Sequence, residues 1–500
     1  MRLLGPVIAL ACLFPAAALA QVRLGGIGIP QVPTSITPPP PPQISTPPRI
    51  PAAPAVPGVP ALPTSGVASS AAILPSGAAI PGAGSPTASV LSDIAHGPVV
   101  TAVENAVPGS AVQTVLSDAR LQRQAGLAKA SPEVFEIDRR GELVLRGQVL
   151  ATGISGRELA DAQRKGFELV ERDRLSGLGV DLAVLRAPMG LNVDDAVAQL
   201  QAADPNAAFE ADPIYETAGS AETLPVLPDA KAAHRGKPVD IGLVDTGVAA
   251  DHPALMGSRI LQQGFAAGGP APGDHGTAIA SLISGEAAGY EGVAPRSTLH
   301  VADVYGSGPS GGSASAVVKA IDWLVRERTP VINISLVGPA NPLLERAIDA
   351  AVDKGAVVVA AVGNDGPFSP PLYPAAYRNV VAVTGVDRRD LILAEAVRAT
   401  PVAFAAPGAD ILAARLGGGF EEVRGTSFAA PIVAAEIAQD HRKLDRRDAV
   451  RALVQLQHKA VKAANAKPTT AYGWGLVGED LRPGLTAPAA ARALAELDEK

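Results

Sequence analysis

Three stretches far apart in the chain carry residue types that could do chemistry together. In Arg424-Gly425-Thr426-Ser427-Phe428-Ala429-Ala430-Pro431 a Gly-Thr turn precedes a run of small and apolar residues. That run reads as a buried helix, so Ser427 falls where the helix begins, beside free backbone N–H groups and the positive end of the helix dipole. A site of that kind favours negative charge developing on a substrate oxygen. An alcohol is a weak nucleophile unless a base lies within hydrogen-bond reach and a carboxylate fixes the base's tautomer. Val239 to Gly247 supplies the carboxylate, as an apolar run ending in Asp245-Thr246-Gly247. Gly273-Asp274-His275-Gly276-Thr277-Ala278 supplies an imidazole ahead of a small-residue helix, Ile279 to Ile283. Taken singly each has a bland reading. Ser427 could be an N-cap, Asp245 a turn former and His275 a satisfied helix-start histidine.

The three residues, in the order Asp245, His275, Ser427, together with Ala361-Val362-Gly363-Asn364-Asp365-Gly366, resemble the subtilisin-like serine peptidase family. The resemblance implies Ser427 as nucleophile, His275 as general base and then acid, and Asp245 as the group that orients the imidazolium. It implies Asn364 as the side-chain donor to the oxyanion. It also implies a substrate channel, with Ser335-Leu336-Val337-Gly338 pairing with the substrate's main chain and Ala361, Val362 and Gly363 forming the opposite wall. Val337 and Val362 stand where the family commonly has smaller residues. Branched side chains there should narrow the pocket and favour a small residue such as Ala before the bond cut. Gly306 to Ser313 would form the other rim.

The elements that must position these groups read as follows. Strand-like runs recur at 240–244, 299–304, 331–334, 356–361 and 380–383, with helical stretches between several of them. Apolar strands separated by helices predict a parallel sheet covered on both faces, with Asp245 at a C-terminal strand end, where chemistry collects. The expected fold class is therefore α/β with a mainly parallel sheet, and the resemblance implies a three-layer subtilisin-like domain over 235–483. From 131 to 222 short strands (Glu142 to Leu145, Phe167 to Val170, Asp181 to Arg186, Phe209 to Asp212) and a helix from Val193 predict a small α+β domain. By pattern it resembles the family's propeptide, with Tyr215 to Ala221 as the stretch in the cleft and self-cleavage near 217–226. A stably attached accessory domain is the alternative.

Residues 1–20 read as a secretory signal: Arg2, an apolar stretch from Leu3 to Phe14, and Ala18-Leu19-Ala20. The single cysteine, Cys12, lies within it, so the exported chain would have no disulfide. Residues 21–130 read as a Pro/Ala-rich linker, mostly disordered, with polyproline II from Pro30 to Pro63 and partial helical periodicity over Ala111 to Leu127. Residues 484–500 read as an Ala-rich helical tail.

A chain of 500 residues calls for two or three folded units, and a net charge of −7 argues against a nucleic-acid partner. No apolar stretch is long enough to favour a membrane span. The expected partners are a polypeptide substrate and the chain's own propeptide, and the expected location is the periplasm or the extracellular space. No cofactor and no metal ligand is assigned. Asp251, Asp387 with Asp390, and Asp440 are the carboxylates a calcium ion could use. The leading function is an exported serine endopeptidase made as a self-inhibited precursor. The alternatives are a non-catalytic envelope scaffold built on a degenerate peptidase fold, and a regulatory protease with one dedicated substrate.

Overall fold

The computed structural model describes residues 109–226, 236–462 and 470–478. The expected signal, the proline-rich segment and the C-terminal tail lie outside the described residues. The chain opens with helix α1 (Gly109–Ala130), followed by β1 (Phe135–Ile137), β2 (Leu143–Thr152), α2 (Gly156–Arg164), β3 (Glu168–Leu175), β4 (Val180–Arg186), α3 (Val193–Ala203) and β5 (Ala208–Pro213). Strands β1, β2, β4 and β3 form an antiparallel sheet in that order, with β5 also paired to β2. Local chemistry sets its helices. Ser155 and Glu158 make a reciprocal capping box at the start of α2, and the Asn192 side chain accepts from the Asp195 N–H at the start of α3.

Residues 21–108 lie outside the described residues, and helix α1 falls where partial helical periodicity is read over Ala111 to Leu127. Its buried side includes Arg120 and Gln124, held by ion pairs and hydrogen bonds. A partly polar inner face leaves only a partial apolar period for sequence reading to find.

Two short strands follow, β6 (Glu216–Thr217) and β7 (Ser220–Val226), and then the large unit. Its elements are β8 (Asp240–Asp245), β9 (Arg259–Gly264), α4 (Asp274–Ser284), β10 (Glu286–Ala287), β11 (Tyr290–Glu291), β12 (Thr298–Asp303), α5 (Ala314–Arg326), β13 (Val331–Ile334), β14 (Leu336–Val337), α6 (Pro342–Asp353), β15 (Val357–Ala361), β16 (Val381–Val386), β17 (Phe404–Pro407), β18 (Ile411–Ala414), β19 (Phe420–Arg424), α7 (Thr426–Asp440) and α8 (Arg446–Lys459).

Seven strands form one parallel sheet in the order β17-β16-β15-β13-β8-β12-β9. One face packs against α4, α7 and α8 through residues such as Ile279, Ile283, Val433 and Leu456. The other packs against α5 and α6 through Val318, Ile321, Leu344 and Ile348. Burial on both faces is why these strands read as unbroken apolar runs rather than alternating ones. Leu150, Leu182 and Val184 of the antiparallel sheet join the second cluster, so that sheet covers α5 and α6. Polar contacts fix it there. Asp322 accepts from the Leu178 N–H at 3.1 Å, Glu210 accepts from the Leu343 N–H at 2.9 Å, and the buried Asp212 accepts from the Ser315 N–H at 3.0 Å. Among the described residues no helix is long and apolar enough to cross a membrane.

Candidate active site

Asp245 ends β8 and is fully buried, and His275 stands in the first turn of α4. The imidazole Nδ1 lies 2.8 and 3.0 Å from the two Asp245 carboxylate oxygens. A carboxylate only accepts, so Nδ1 carries the proton and donates it, leaving Nε2 with its lone pair. That Nε2 is buried and has no hydrogen-bond partner. The Thr246 N–H also donates to Asp245, at 2.8 Å, which fixes the carboxylate's plane.

Ser427 stands at the start of α7, and the ring of the next residue, Phe428, meets the His275 ring with centroids 5.4 Å apart. Pro431 has no N–H to give the carbonyl four residues back, so the Ser427 carbonyl is left without its helical partner. The Ser335 hydroxyl donates to it at 2.9 Å, and the Ser427 hydroxyl in turn donates to the Ser335 carbonyl at 3.1 Å. The serine side chain is thus turned toward Ser335. A rotation about its first side-chain torsion is needed to aim it elsewhere.

The cleft beside these groups holds the chain's own segment 215–220. Its β6 pairs antiparallel with β14, Thr217 opposite Leu336 and Glu216 opposite Val337. Past the site, β7 pairs with β19, Ser220 opposite Arg424. Between the two pairings, the Ala218 carbonyl oxygen accepts from the Asn364 side-chain amide at 2.8 Å and from the Ser427 N–H at 3.1 Å. The Asn364 amide is oriented by its own oxygen, which accepts from the Thr426 N–H at 3.1 Å. Gly425 makes this approach feasible. Its φ of 142° is open to glycine, and a Cβ there would meet Gly219 Cα at 2.7 Å and Asn364 Nδ2 at 2.8 Å.

The Ala218 methyl sits in a small apolar pocket with Val337, Leu372 and Val397. Gly363 faces the same space, since a Cβ there would lie 2.6 Å from Leu372 and 3.2 Å from Val337. Val362 does not narrow it: its side chain turns into the core on the α5/α6 side, and Ala361 packs into the opposite core. Leu336 likewise contributes main chain to the pairing while its side chain is in the core. Tyr215 is fully buried. Its N–H donates to the Gly312 carbonyl at 2.7 Å, its carbonyl accepts from the Tyr305 hydroxyl at 2.8 Å, and its own hydroxyl donates to Pro339 at 2.7 Å. The 306–313 loop is therefore a rim of this channel. Gly338 leaves room for the Tyr215 ring, which a Cβ would meet at 2.6 Å.

Sequence reading missed Leu372 and Val397, which come from irregular segments with no local signature. It also missed Asp303, which pairs across the sheet with Asp245. Asp303 accepts from the N–H groups of Ala271, Tyr305 and Gly306 at 2.7, 2.9 and 2.9 Å, tying the loop before α4 to the turn after β12. Burial pushes its carboxyl up, these backbone donors pull it down, and nearby Asp245 adds to the rise. An acidic residue closing an apolar strand was the available signal.

Two of the carboxylates considered for calcium are engaged within the protein. Asp387 already accepts from the N–H groups of Arg389 and Leu391, and Asp440 accepts from Lys459. Asp251 is exposed, and among the described residues no three His, Cys, Asp or Glu side chains converge. No step below is routed through a metal.

A buried carboxylate paired with an imidazole, a helix-start serine nearby and two donors on one carbonyl are the parts a serine peptidase uses. The Subtilase family profile matches residues 236–475. Subtilisin Savinase of Lederbergia lenta is 32% identical over 263 residues, which is 50% of this chain and 94% of that protein. The chain belongs to the subtilase family. The minor extracellular protease Epr of Bacillus subtilis is 29% identical over 254 residues, 49% of this chain, and the match spans 39% of Epr's length. Fervidolysin from Fervidobacterium pennivorans, described as a keratinolytic enzyme related to subtilisin, shares the fold, with a TM-score of 0.58 at 20% identity over 70% of this chain and 62% of that one.

Proposed function

We propose that the chain is an exported serine endopeptidase made as a precursor, and that its first substrate is its own Ala218–Gly219 bond. The observation carrying this reading is the Ala218 carbonyl, which accepts from both Asn364 and the Ser427 N–H while flanking strands hold the chain extended through the cleft. Main-chain pairing of this kind binds an extended peptide in a fixed register.

In the reaction, Ser427 Oγ rotates from the Ser335 carbonyl, gives its proton to His275 Nε2 and attacks the Ala218 carbonyl carbon. Asp245 stabilises the resulting imidazolium through Nδ1–H. Negative charge on the Ala218 oxygen is met by the two donors already in place, which need no reorganisation. The bond to Gly219 then breaks as the imidazolium protonates the leaving nitrogen, and an ester between Ala218 and Ser427 remains. Water, activated by His275, hydrolyses the ester to a carboxylate and regenerates the serine. The small domain that ends at Ala218 serves as a propeptide whose tail blocks the cleft until it leaves. The secretory reading of residues 1–20 and the extracellular description of Epr support export.

The test is Ser427→Ala in the full chain. The variant should accumulate at full post-signal length and lose labelling by a fluorophosphonate, while the parent is shortened and labelled. A shortened Ser427→Ala chain would assign the cut to another protease, and an unlabelled parent would point to a non-catalytic protein.

A further inference from the structure

We propose that Asp365 is a specificity-determining residue of the processed enzyme, selecting a basic side chain at the third position before the bond cut, the place Glu216 holds in the precursor. The inference rests on self-processing at Ala218–Gly219 and starts from the ions around Glu216. Arg120 of α1 points one guanidinium at three carboxylates: Asp365 at 3.2 Å, Glu142 at 3.5 Å and Glu216 at 3.9 Å. Arg123 and Gln124 of the same helix add bonds to Glu216 at 3.1 and 2.9 Å. Arg120, Gln124 and Glu216 are buried, and the Asp365 side chain is 14% exposed. Two cations thus hold three anions out of bulk water, an arrangement that fails if the cations leave.

The chain order of these groups gives the consequence. Arg120, Arg123, Gln124, Glu142 and Glu216 all precede the Ala218–Gly219 bond, and Asp365, the neighbour of Asn364, follows it. Departure of the N-terminal piece removes both guanidiniums and leaves the Asp365 carboxylate beside the third position. Pairing of substrate main chain with Leu336 and Val337 puts an incoming third residue opposite Val337, as Glu216 is now. A lysine or arginine there replaces the Arg120 cation, whereas a glutamate meets a like charge. The present balance agrees. Burial pushes the Asp365 carboxyl up, Arg120 draws it down and Glu216 pushes it up again. Burial also pushes Glu216 up, but Arg120 and Arg123 outweigh this and hold it below the usual range. The tail therefore seats its glutamate only while α1 stays docked, and once α1 detaches the enzyme's own charge disfavours the tail.

The experiment uses the full-length chain left to process itself, and three fluorogenic peptides Tyr-Xaa-Thr-Ala-Gly-Ser with Xaa Lys, Gln or Glu. One attraction and one repulsion at a partly exposed carboxylate predict a Lys-over-Glu ratio of kcat/KM of about tenfold. The ratio should fall toward one in Asp365→Asn and with rising ionic strength. Equal cleavage of the Lys and Glu peptides, or a ratio that survives Asp365→Asn, overturns the proposal while leaving self-processing intact. If Asp365→Asn does not fold, the salt dependence decides, and a salt-independent ratio refutes the assignment. Failure to cut any of the three peptides, with no shortening of the chain, overturns self-processing and this inference with it.

Discussion

Gly219, the residue just after the proposed bond, is where a single methyl group should do most harm. A Cβ on Gly219 would sit 2.6 Å from Phe428 Cε2, 3.1 Å from Cζ and 3.3 Å from Cδ2. Carbon atoms pack at about 3.5–4.0 Å, so ring and strand must separate by about 1 Å. The Phe428 ring is 2% exposed and lies against His275, so it cannot yield without disturbing the imidazole. The strand must move instead, and it carries the Ala218 carbonyl away from donors now at 2.8 and 3.1 Å. A misplacement of about 1 Å costs about 10²-fold in rate, and overpacking adds about 1–3 kcal/mol against seating the strand. Gly219→Ala should therefore process itself about 10²-fold more slowly than the parent in a pulse-chase followed on gels. Processing at the same bond within threefold of the parent rate, a threshold of roughly 0.6 kcal/mol, would refute the steric reasoning.

Three further outcomes follow from the same geometry. Asn364→Ala removes one of the two donors on the Ala218 oxygen and should lower kcat by about 10²–10³-fold in a peptide assay. Ala218→Phe must enter the pocket of Val337, Leu372 and Val397, and should slow self-cleavage by about tenfold or more on the same gels. Glu421, on β19, is raised to about 7 by burial, with Asp274 adding repulsion and Arg415 opposing it. A carboxyl raised on folding stabilises below its unfolded value and loses that contribution as pH rises through about 7. Thermal melts of the parent should therefore fall between pH 5 and pH 8 more steeply than those of Glu421→Gln, and equal slopes would contradict the assignment.

Much of the parallel sheet was legible because strands buried on both faces leave continuous apolar runs, as in Val357 to Ala361. Asp245, His275, Asn364 and Ser427 could be singled out because each sits at a strand end or helix start with small flanking residues. The helix from Val193 to Ala203 announced itself through its Asn192 cap. What could not be read depends on long-range packing. Val362 differs from Val337 in facing the core rather than the pocket, a matter of side-chain direction at a strand end that composition does not report. Leu372 and Val397 reach the pocket from loops. Helix α1 showed only partial periodicity because ion pairs to Glu216, Glu142 and Asp365 hold part of its inner face, and such partners, one of them 245 residues away, leave no period in the local sequence.

The most direct measurement is the amino terminus of the processed chain, read by mass spectrometry on protein purified from cells producing the parent and the Ser427→Ala variant. A new terminus at Gly219 in the parent, absent from Ser427→Ala, is the result the account predicts. A terminus elsewhere in a parent whose Ala218–Gly219 bond stays intact, or the same Gly219 terminus in the Ser427→Ala chain, would contradict it.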